Sequence, residues 1–313
     1  MKLSSSIIKT YDRLALGIET PKDIFWKTIF FIANPFSDKR RWLRYEKYLE
    51  KKLIGSHLKD GVLNYRGIFF PDFTREPKYI KGFIPTYFDI IFFYYKRNDS
   101  YDQRSVDRFE RCFGTEGTYC YQGEGADITI KEGDVVIDAG AWIGSFSAYA
   151  SKKGASVHAF EPSTENMKYL VRTSELNGNI KVVPMALHSK TMDLDFSEDD
   201  IGSRISDEKK AAHSNILNGK PEHRVSAITL DEYVHSNNIR VDFIKSDIEG
   251  NERNMLLGAK EVLKRFAPIL SICTYHLPDD REVISRIIKE ANPDYKIIQR
   301  RMKLYAYVDK KEK

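Results

Sequence analysis

"VVIDAGAWIGSFSAYA", residues 135–150, decides how this chain is read. An apolar run, Val135 to Ile137, ends in an acid at Asp138. Glycines follow at 140 and 144, and then a helix-like pattern of small and apolar residues begins. A short strand, a glycine turn and a helix form the unit that, in doubly wound sheets, presents the carboxyl end of a strand to a ligand.

Working outward, the same rhythm repeats. "SVHAFEP" (156–162) reads as a strand, and "STENMKYLVRTSELNG" (163–178) as a helix with a serine start and a glycine stop. "IKVVPMALH" (180–188) is a third strand. Beyond a polar stretch come a helix over 229–238, a strand over 241–248, a helix over 251–266, a strand over 268–276 and a helix over 279–291. Two last strands, "YKIIQR" (295–300) and "KLYAYV" (303–308), lie so close together that only a hairpin joins them. The expectation is an α/β domain over 117–313, with a mostly parallel sheet covered on both faces and an antiparallel hairpin strand at its edge. The stretch 189–226 interrupts the alternation and is expected to be a β-hairpin or lid insertion. Residues 1–116 show no alternation. "DKRRWLRYEKYLEKKLIG" (38–55) reads as a solvated amphipathic helix, and turn signals cluster at Gly61, Gly67, Pro71 and Pro77. This part is expected to be a mainly helical, irregular accessory domain that chooses the substrate.

The turn at Gly140 excludes two ligand classes. A dinucleotide fingerprint starting there would need glycine at 142 and 145, where Trp142 and Ser145 stand, and an indole blocks the close approach of a pyrophosphate. No phosphate-binding G-x-x-x-x-G-K-S/T occurs anywhere in the chain. What remains is D-x-G-x-x-x-G followed by Glu161 at the end of the next strand, about 20 residues on, where a carboxylate can accept both hydroxyls of a ribose. Asp138 and the backbone near Gly140 can meet an ammonium and a carboxylate. An adenosine joined to an amino acid, S-adenosyl-L-methionine (SAM), suits that combination.

Composition narrows the field further. With 42% hydrophobic and 30% charged residues the chain is globular, and a net charge of +5 over 50 basic and 45 acidic residues does not single out nucleic acid. Nor is there an N-P-P-Y or D-P-P-Y motif to grip a flipped base. The three cysteines, Cys112, Cys120 and Cys273, form no C-x-x-C and read as reduced thiols of a cytoplasmic protein. The most apolar windows, 24–36 and 82–95, are interrupted by Lys27, Pro85 and Asp89 and are too short to span a bilayer. The first residues carry no long apolar run of a secretory signal.

"DVVIDAGAWIGSFSAYASKKGASVHAFEPSTENMKYL", "ITLDEY" and "VDFIKSDIEGNERNMLLGA" resemble the FkbM-type family of SAM-dependent methyltransferases, over about 117–308. "IKSDIEGNE" is the most specific of these elements. The resemblance implies a seven-stranded Rossmann-like class I methyltransferase sheet, SAM as cofactor and, as a rule, O-methylation of hydroxyls on sugars, glycans or polyketides.

On this reading Asp138, Gly140, Ala141, Trp142 and Gly144 form the pocket for the methionine part. Glu161 holds the ribose, Pro162 fixes the exit of the strand, and adenine lies near Met185 and Ala186. Asp247 and His276, at the carboxyl ends of the next two strands, are the candidate bases, with Asp247 also able to hold the SAM amino group. Glu249 and Glu252 can cap the following helix, the more so for Glu252. Asp247, Glu249 and His276 carry donor atoms for a divalent ion that would lower an acceptor hydroxyl's pKa, but their spacing does not demand one, and the metal stays open as the less favoured reading. His188, His213 and His223 read as solvated. The aromatic residues of 65–121, Tyr119 among them, offer stacking surface for sugar rings, although packing accounts for most of them. Lys39, Arg40 and Arg41 read as a wet helix face that leaves room for a phosphate-bearing acceptor or a peripheral contact with anionic lipid. The expected partner is a small-molecule or glycan acceptor, not nucleic acid, with homo-oligomerisation left open. The competing reading is a SAM-binding scaffold without chemistry in a glycan-assembly complex.

Overall fold

The computed structural model describes residues 58–65, 67–73, 76, 118–123, 125–198, 203–205 and 223–309. The helix expected over 38–55, the apolar windows 24–36 and 82–95, the basic cluster at 39–41 and His213 lie outside the described residues. The chain divides into two compact units. One comprises Met1–Arg66, Asp72–Thr115 and Gln122–Gly125, the other Gly67–Pro71, Glu116–Tyr121 and Ala126–Lys313.

What is described of the first unit is β structure. Strands β1 (Leu58–Lys59) and β2 (Val62–Tyr65) pair antiparallel, Leu58 with Leu63 and Lys59 with Val62. Asp60 and Gly61 make the turn with φ of 52° and 75°. A two-residue Asp-Gly loop with both φ positive matches the twist of the strands it joins, so the turn signal at Gly61 marks a hairpin rather than a helix end. The expectation of mainly helical structure does not hold for these residues.

The second unit starts with β3 (Ile68–Pro71), includes Tyr121 of β4 (Tyr121–Gly123), and continues through β5 (Ala126–Ile128). Then comes the alternation read from the sequence: β6 (Val135–Ala139), α1 (Ser145–Lys152), β7 (Ser156–Phe160), α2 (Thr164–Asn177) and β8 (Ile180–Val183). Helix α2 starts where Ser163 Oγ accepts from Asn166 N at 3.2 Å, and its C-cap is Gly178 at φ 68°. Asn177, its last residue, bonds both Phe69 N (3.0 Å) and Phe69 O (2.7 Å), so one side-chain amide imitates a neighbouring strand for β3.

The strand expected over 180–188 is broken. Pro184 has no N–H to give a ladder, and Met185 N turns back to Val183 O at 2.8 Å. Only β8 stays in the large sheet. β9 (Ala186–Leu187) enters a second sheet with β10 (Met192–Glu198), β11 (Ser203–Ile205) and β12 (His223–Ile228), in the order β11-β10-β12-β9. In the described residues of 189–226, β10 pairs antiparallel with β11 and β12, and β9 lies parallel to β12. Ala186, Leu194, Phe196, Val225 and Ala227 form its own small core.

After α3 (Leu230–Asn237) and β13 (Phe243–Ser246), the helix expected over 251–266 is two: α4 (Glu252–Leu257) and α5 (Lys260–Phe266). Gly258 separates them. A Cβ there would stand 2.2 Å from His188 O, so the chain passes too close to that backbone for any side chain. Asp231 of α3 caps α5, its carboxylate accepting from Glu261 N (3.1 Å) and Val262 N (2.9 Å). β14 (Ile269–Cys273), α6 (Asp280–Ala291), β15 (Lys296–Arg300) and β16 (Lys303–Tyr307) complete the unit.

The large sheet has the order β15-β16-β14-β13-β6-β7-β8. β16 is antiparallel to both neighbours and the rest run parallel. The hairpin closes the edge as expected, but its antiparallel member lies one place in and β15 is outermost. The inner strands β6, β7, β13, β14 and β16 are buried on both faces, as strands covered by helices are, and Ile137, Ile244, Leu270, Ile272 and Leu304 are fully shielded in the main core. Each such side chain contributes about 1.5–3 kcal/mol on burial. Against that background a charge inside a strand stands out, and two occur at matched register: Asp138 of β6 pairs with Lys245 of β13.

Candidate functional site

Strand order reverses between β6 and β13, and the crevice that forms at such a reversal lies over their carboxyl ends. Three loops meet there: the turn after β6, the loop after β7 and the loop after β13.

The first turn is held from below by a buried ion pair. Lys245 Nζ stands 3.0 Å from Asp138 Oδ1, with the side chains 5% and 0% exposed. Ser147 Oγ donates to Asp138 Oδ2 at 2.6 Å. Lys245 Nζ also donates to Gly140 O (2.6 Å) and Ala139 O (3.3 Å), so a cation enclosed in the sheet ties the end of β6 to β13. Burial alone would lower the Lys245 pKa, but the charges of Asp138 and Asp247 outweigh it and the net shift is upward. Asp138 is therefore a buried anchor. The expectation that it meets the SAM ammonium is corrected, since its carboxylate is enclosed and engaged by Ser147 and Lys245.

Gly140 sits at φ 73°, and a Cβ there would stand 2.0 Å from Asp247 O, so β6 and β13 approach one another through this missing side chain. Gly140 N and Ala141 N both donate to Phe160 O, at 3.1 and 2.9 Å, joining the first turn to β7. Trp142 takes φ 53°, and its N–H donates to Glu161 Oε2 at 2.8 Å. Gly144, the N-cap of α1 at φ 86°, lets α1 lie against α2, where a Cβ would be 2.8 Å from Leu170 Cδ1.

Glu161 is 4% exposed. Besides Trp142 N, it accepts from Ser163 N (3.0 Å) and Asn166 Nδ2 (3.2 Å) on Oε1. Burial pushes its pKa up to about 7, against the opposing pull of those hydrogen bonds and of Lys245. The residue thus clamps the first loop to the second, and Oε2, with a single partner among these bonds, keeps acceptor capacity. Pro162 follows it, half-buried. Of the two residues expected beside adenine, Met185 packs partly buried against the main core. Ala186 is buried in the core of the second sheet, where Pro184 diverts the chain. His188, expected to be solvated, is 8% exposed.

The loop after β13 carries the densest polar cluster. Asp247 Oδ2 accepts from Tyr119 Oη at 2.6 Å, and Oδ1 accepts from Tyr275 Oη at 3.2 Å. Burial pushes the Asp247 pKa up, but Lys245, Lys303 and the Tyr119 hydrogen bond outweigh it and hold it at about 2. Tyr119 is correspondingly raised well above its ordinary value, first by burial and then by Asp247. Lys303 Nζ lies 4.0 Å from the centre of the Tyr119 ring. Glu249 (φ 55°) and Gly250 (φ 98°) reverse the chain and aim the Glu249 carboxylate at His276. Glu252, fully buried, accepts from Ile248 N (2.9 Å) and Gly250 N (3.0 Å), so it braces this loop from the first residue of α4 rather than capping the helix's own N–H groups.

His276 stands among these carboxylates. Nε2 is 3.3 Å from Glu249 Oε2 and 3.7 Å from Asp247 Oδ1, and Nδ1 is 3.1 Å from Glu252 Oε1. Burial works against a charge on the ring, but the three carboxylates outweigh it and push its pKa up to about 10. An imidazolium has no lone pair to receive a proton, so the ring serves as a base only where it has lost its charge. Lys245, Tyr119, Tyr275 and Lys303 escaped the sequence reading as parts of one site. Lys245 alone carried a signal, a lysine inside the apolar strand "VDFIKS".

A mostly parallel seven-stranded sheet with an antiparallel strand second from one edge, glycine-turned after β6 and acidic after β7 and β13, is the architecture of a Rossmann-like methyltransferase. The chain matches the Methyltransferase FkbM domain over residues 138–307, more than half its length, and belongs to that family of SAM-dependent methyltransferases. Among solved structures it is similar to the methyltransferase FkbM of Methylobacillus flagellatus KT, with 18% identity and a TM-score of 0.48. That alignment covers 84% of this chain and 59% of the other, so the chain spans less than two thirds of that relative. It is also similar to Aeropyrum pernix fibrillarin in complex with natively bound SAM (11% identity, TM-score 0.36, 58% of this chain and 69% of the other). A SAM-dependent methyltransferase of Aquifex aeolicus shows 18% identity and a TM-score of 0.33, over 58% of this chain and 85% of the other. No curated protein sequence matches. Among the described residues, no helix is long and apolar enough to cross a membrane.

Proposed function

We propose that the chain transfers the methyl group of SAM to a hydroxyl of a sugar, glycan or nucleotide-linked sugar. The observation that carries this reading is the convergence of the Gly140 turn, Glu161 and Asp247 on one crevice. In the proposal the turn of Gly140, Ala141 and Trp142, with Gly144 behind it, receives the methionine part, and the free capacity of Glu161 Oε2 takes a ribose hydroxyl. SAM supplies the electrophilic methyl sulfonium. The chain contributes alignment of the acceptor, exclusion of water and a place for the acceptor proton.

That place is Asp247. A carboxylate held at about 2 is a weak base, yet weakness is no obstacle here. As the oxygen takes the methyl group it becomes a protonated ether, a far stronger acid than a carboxylic acid, so the proton leaves late and passes to an ionised carboxylate. Tyr119 and Tyr275 hold the two oxygens of Asp247 in place for this.

Tritiated SAM offered with crude glycans and with RNA tests the substrate class. Label is expected in the glycan fraction, and label in RNA alone refutes the reading. Asp247→Asn is expected to lower turnover at least a hundredfold while SAM affinity, measured by calorimetry, changes less than tenfold. Full turnover in that variant removes Asp247 from the chemistry, and SAM binding with no transfer to any acceptor by the wild type favours the non-catalytic scaffold.

A further inference from the structure

The cluster at the carboxyl ends of β13 and β14 has a feature that an ion-pair network leaves unexplained. The His276 side chain is 7% exposed, and neither ring nitrogen makes a hydrogen bond, although carboxylate oxygens stand 3.1 and 3.3 Å away. The oxygens are near, but off the N–H directions. A hydrogen bond puts its acceptor on the N–H axis. A metal ion takes that axis itself and leaves its other ligands to either side, so off-axis carboxylates are what a ligating imidazole has around it.

We infer that Asp247 Oδ1, Glu249 Oε2 and His276 Nε2 form a binding site for one first-row divalent transition ion. The three donor atoms lie within 4.8 Å of one another. Around an ion with bonds of about 2.0–2.2 Å, two donors at roughly 100–120° lie about 3.1–3.8 Å apart. The separations from Nε2 are 3.3 Å to Glu249 and 3.7 Å to Asp247. One imidazole with two carboxylates suits manganese, iron or zinc better than calcium or magnesium, which prefer oxygen alone.

The surroundings fit a ligand set. A ligating histidine commonly has a carboxylate beside its other nitrogen, and Glu252 Oε1 stands 3.1 Å from Nδ1, off the N–H axis but near enough for a small turn of the ring to bring it into line; Glu252 is itself fixed by the N–H groups of Ile248 and Gly250. Asp247 is oriented by Tyr119 on its other oxygen. Asp247 and Glu249 are 21% and 26% exposed, so an ion has a way in and room for further ligands. The neighbouring trio of Glu252, His276 and Asp280 is already committed, because Asp280 accepts from Leu277 N and Arg253 Nε and Glu252 from the loop. On the reading of this crevice as the acceptor site, the open positions of the ion take the acceptor oxygen and lower the pKa of its hydroxyl.

The test is a titration of the full chain, stripped with EDTA, with Mn2+, followed by the electron paramagnetic resonance signal of the free ion. One Mn2+ per chain is expected with micromolar affinity, displaced by Zn2+ and not by equimolar Ca2+. Glu249→Gln is expected to weaken it at least tenfold while circular dichroism and S-adenosylhomocysteine binding stay unchanged. Uptake of neither Mn2+ nor Zn2+ by the wild type overturns the site, as does uptake that Glu249→Gln leaves intact. S-adenosylhomocysteine calorimetry on the same samples separates the two readings. Nucleoside binding without metal uptake removes the ion and leaves the methyltransferase, and metal uptake without nucleoside binding does the reverse.

Discussion

Replacing Glu161 by Gln tests the buried carboxylate through a quantity that side effects of the mutation do not reach, the slope of stability against pH. The folded chain holds this group at about 7 against 4.5 for the free side chain, chiefly through burial. An acid whose pKa is raised on folding binds more protons in the native state than in the unfolded one throughout that interval. Stability therefore falls as pH rises from about 4.5 to 7, the reverse of the usual carboxylate case. A shift of 7 − 4.5 = 2.5 units corresponds to about 3 kcal/mol, of which roughly 2.5 kcal/mol falls between pH 5 and pH 8. Other groups titrate nearby. His158, lowered to about 4 by burial and by Lys181, adds a slope of opposite sign at acid pH. The difference between wild type and Glu161→Gln cancels it, and the constant cost of turning an amide NH2 toward Trp142 N, Ser163 N or Asn166 offsets that difference without changing its slope against pH. Urea unfolding of both chains at several pH values is the assay. The wild type is expected to lose about 2.5 kcal/mol relative to the variant between pH 5 and 8, and a flat difference refutes the burial argument. Calorimetry adds the ligand side. A ribose hydroxyl needs the ionised form, so SAM binding near pH 7 is expected to expel up to about half a proton per site and almost none at pH 9. Absence of that release, or equal SAM affinity of the two chains at pH 8, removes Glu161 from the ribose.

Three further outcomes follow from the packing. Gly144→Ala meets both a φ of 86° and contacts of 2.8 and 2.9 Å to Leu170 and Thr173, and is expected to cost about 2–4 kcal/mol, read as a lowered midpoint of thermal unfolding. Tyr119→Phe removes a 2.6 Å hydrogen bond to an ionised carboxylate, and a loss of about 1.5–3 kcal/mol in urea unfolding is expected. Lys245→Met leaves Asp138 enclosed without its cation and is expected to destabilise by about 3–5 kcal/mol, whereas Lys245→Met with Asp138→Leu recovers at least half of that loss.

The large sheet was legible because its strands are nearly continuous apolar runs separated by capped helices, a pattern with few other solutions. The glycines at 140 and 144 were legible for the same local reason, since they mark a turn that only a missing side chain permits. Departures came where one backbone atom overrides periodicity. Pro184 withholds a single N–H and sends Ala186 into another sheet. Gly258 passes so close to His188 O that one amphipathic run becomes two helices. The site was legible residue by residue, but its pairing was not. Asp138 reads as an exposed acid at the end of a strand until Lys245, over a hundred positions later, is found at the same register of the neighbouring strand. Tyr119 reads as packing until the fold brings it to Asp247, and nothing local to "GTYCY" announces that. His276 carried the signal of a candidate base, yet its protonation is decided by three acids contributed by a different loop.

The polar groups over β6 and β13 divide by depth, and the division separates holding from reacting. Deepest are Asp138 and Lys245, opposite charges that cancel and spend their hydrogen bonds on Ser147 and on the carbonyls of Ala139 and Gly140. Replacing such a pair by apolar residues is close to neutral for stability in many proteins, so its value here lies in fixing the spacing of two strand ends rather than in added energy. Above it, Asp247 and Glu249 are partly exposed, and His276 stands between three acids without a hydrogen bond to any. An arrangement rigid below and incompletely satisfied above costs stability where it is incomplete, and that cost is expected where a further group completes the set. A cationic sulfonium or a divalent ion supplies the missing charge at that level, and a neutral ligand does not. Thermal stability should therefore rise more with SAM than with S-adenosylhomocysteine at equal site saturation. Equal shifts from the two would place the sulfonium away from Asp247 and sink this account of the upper layer.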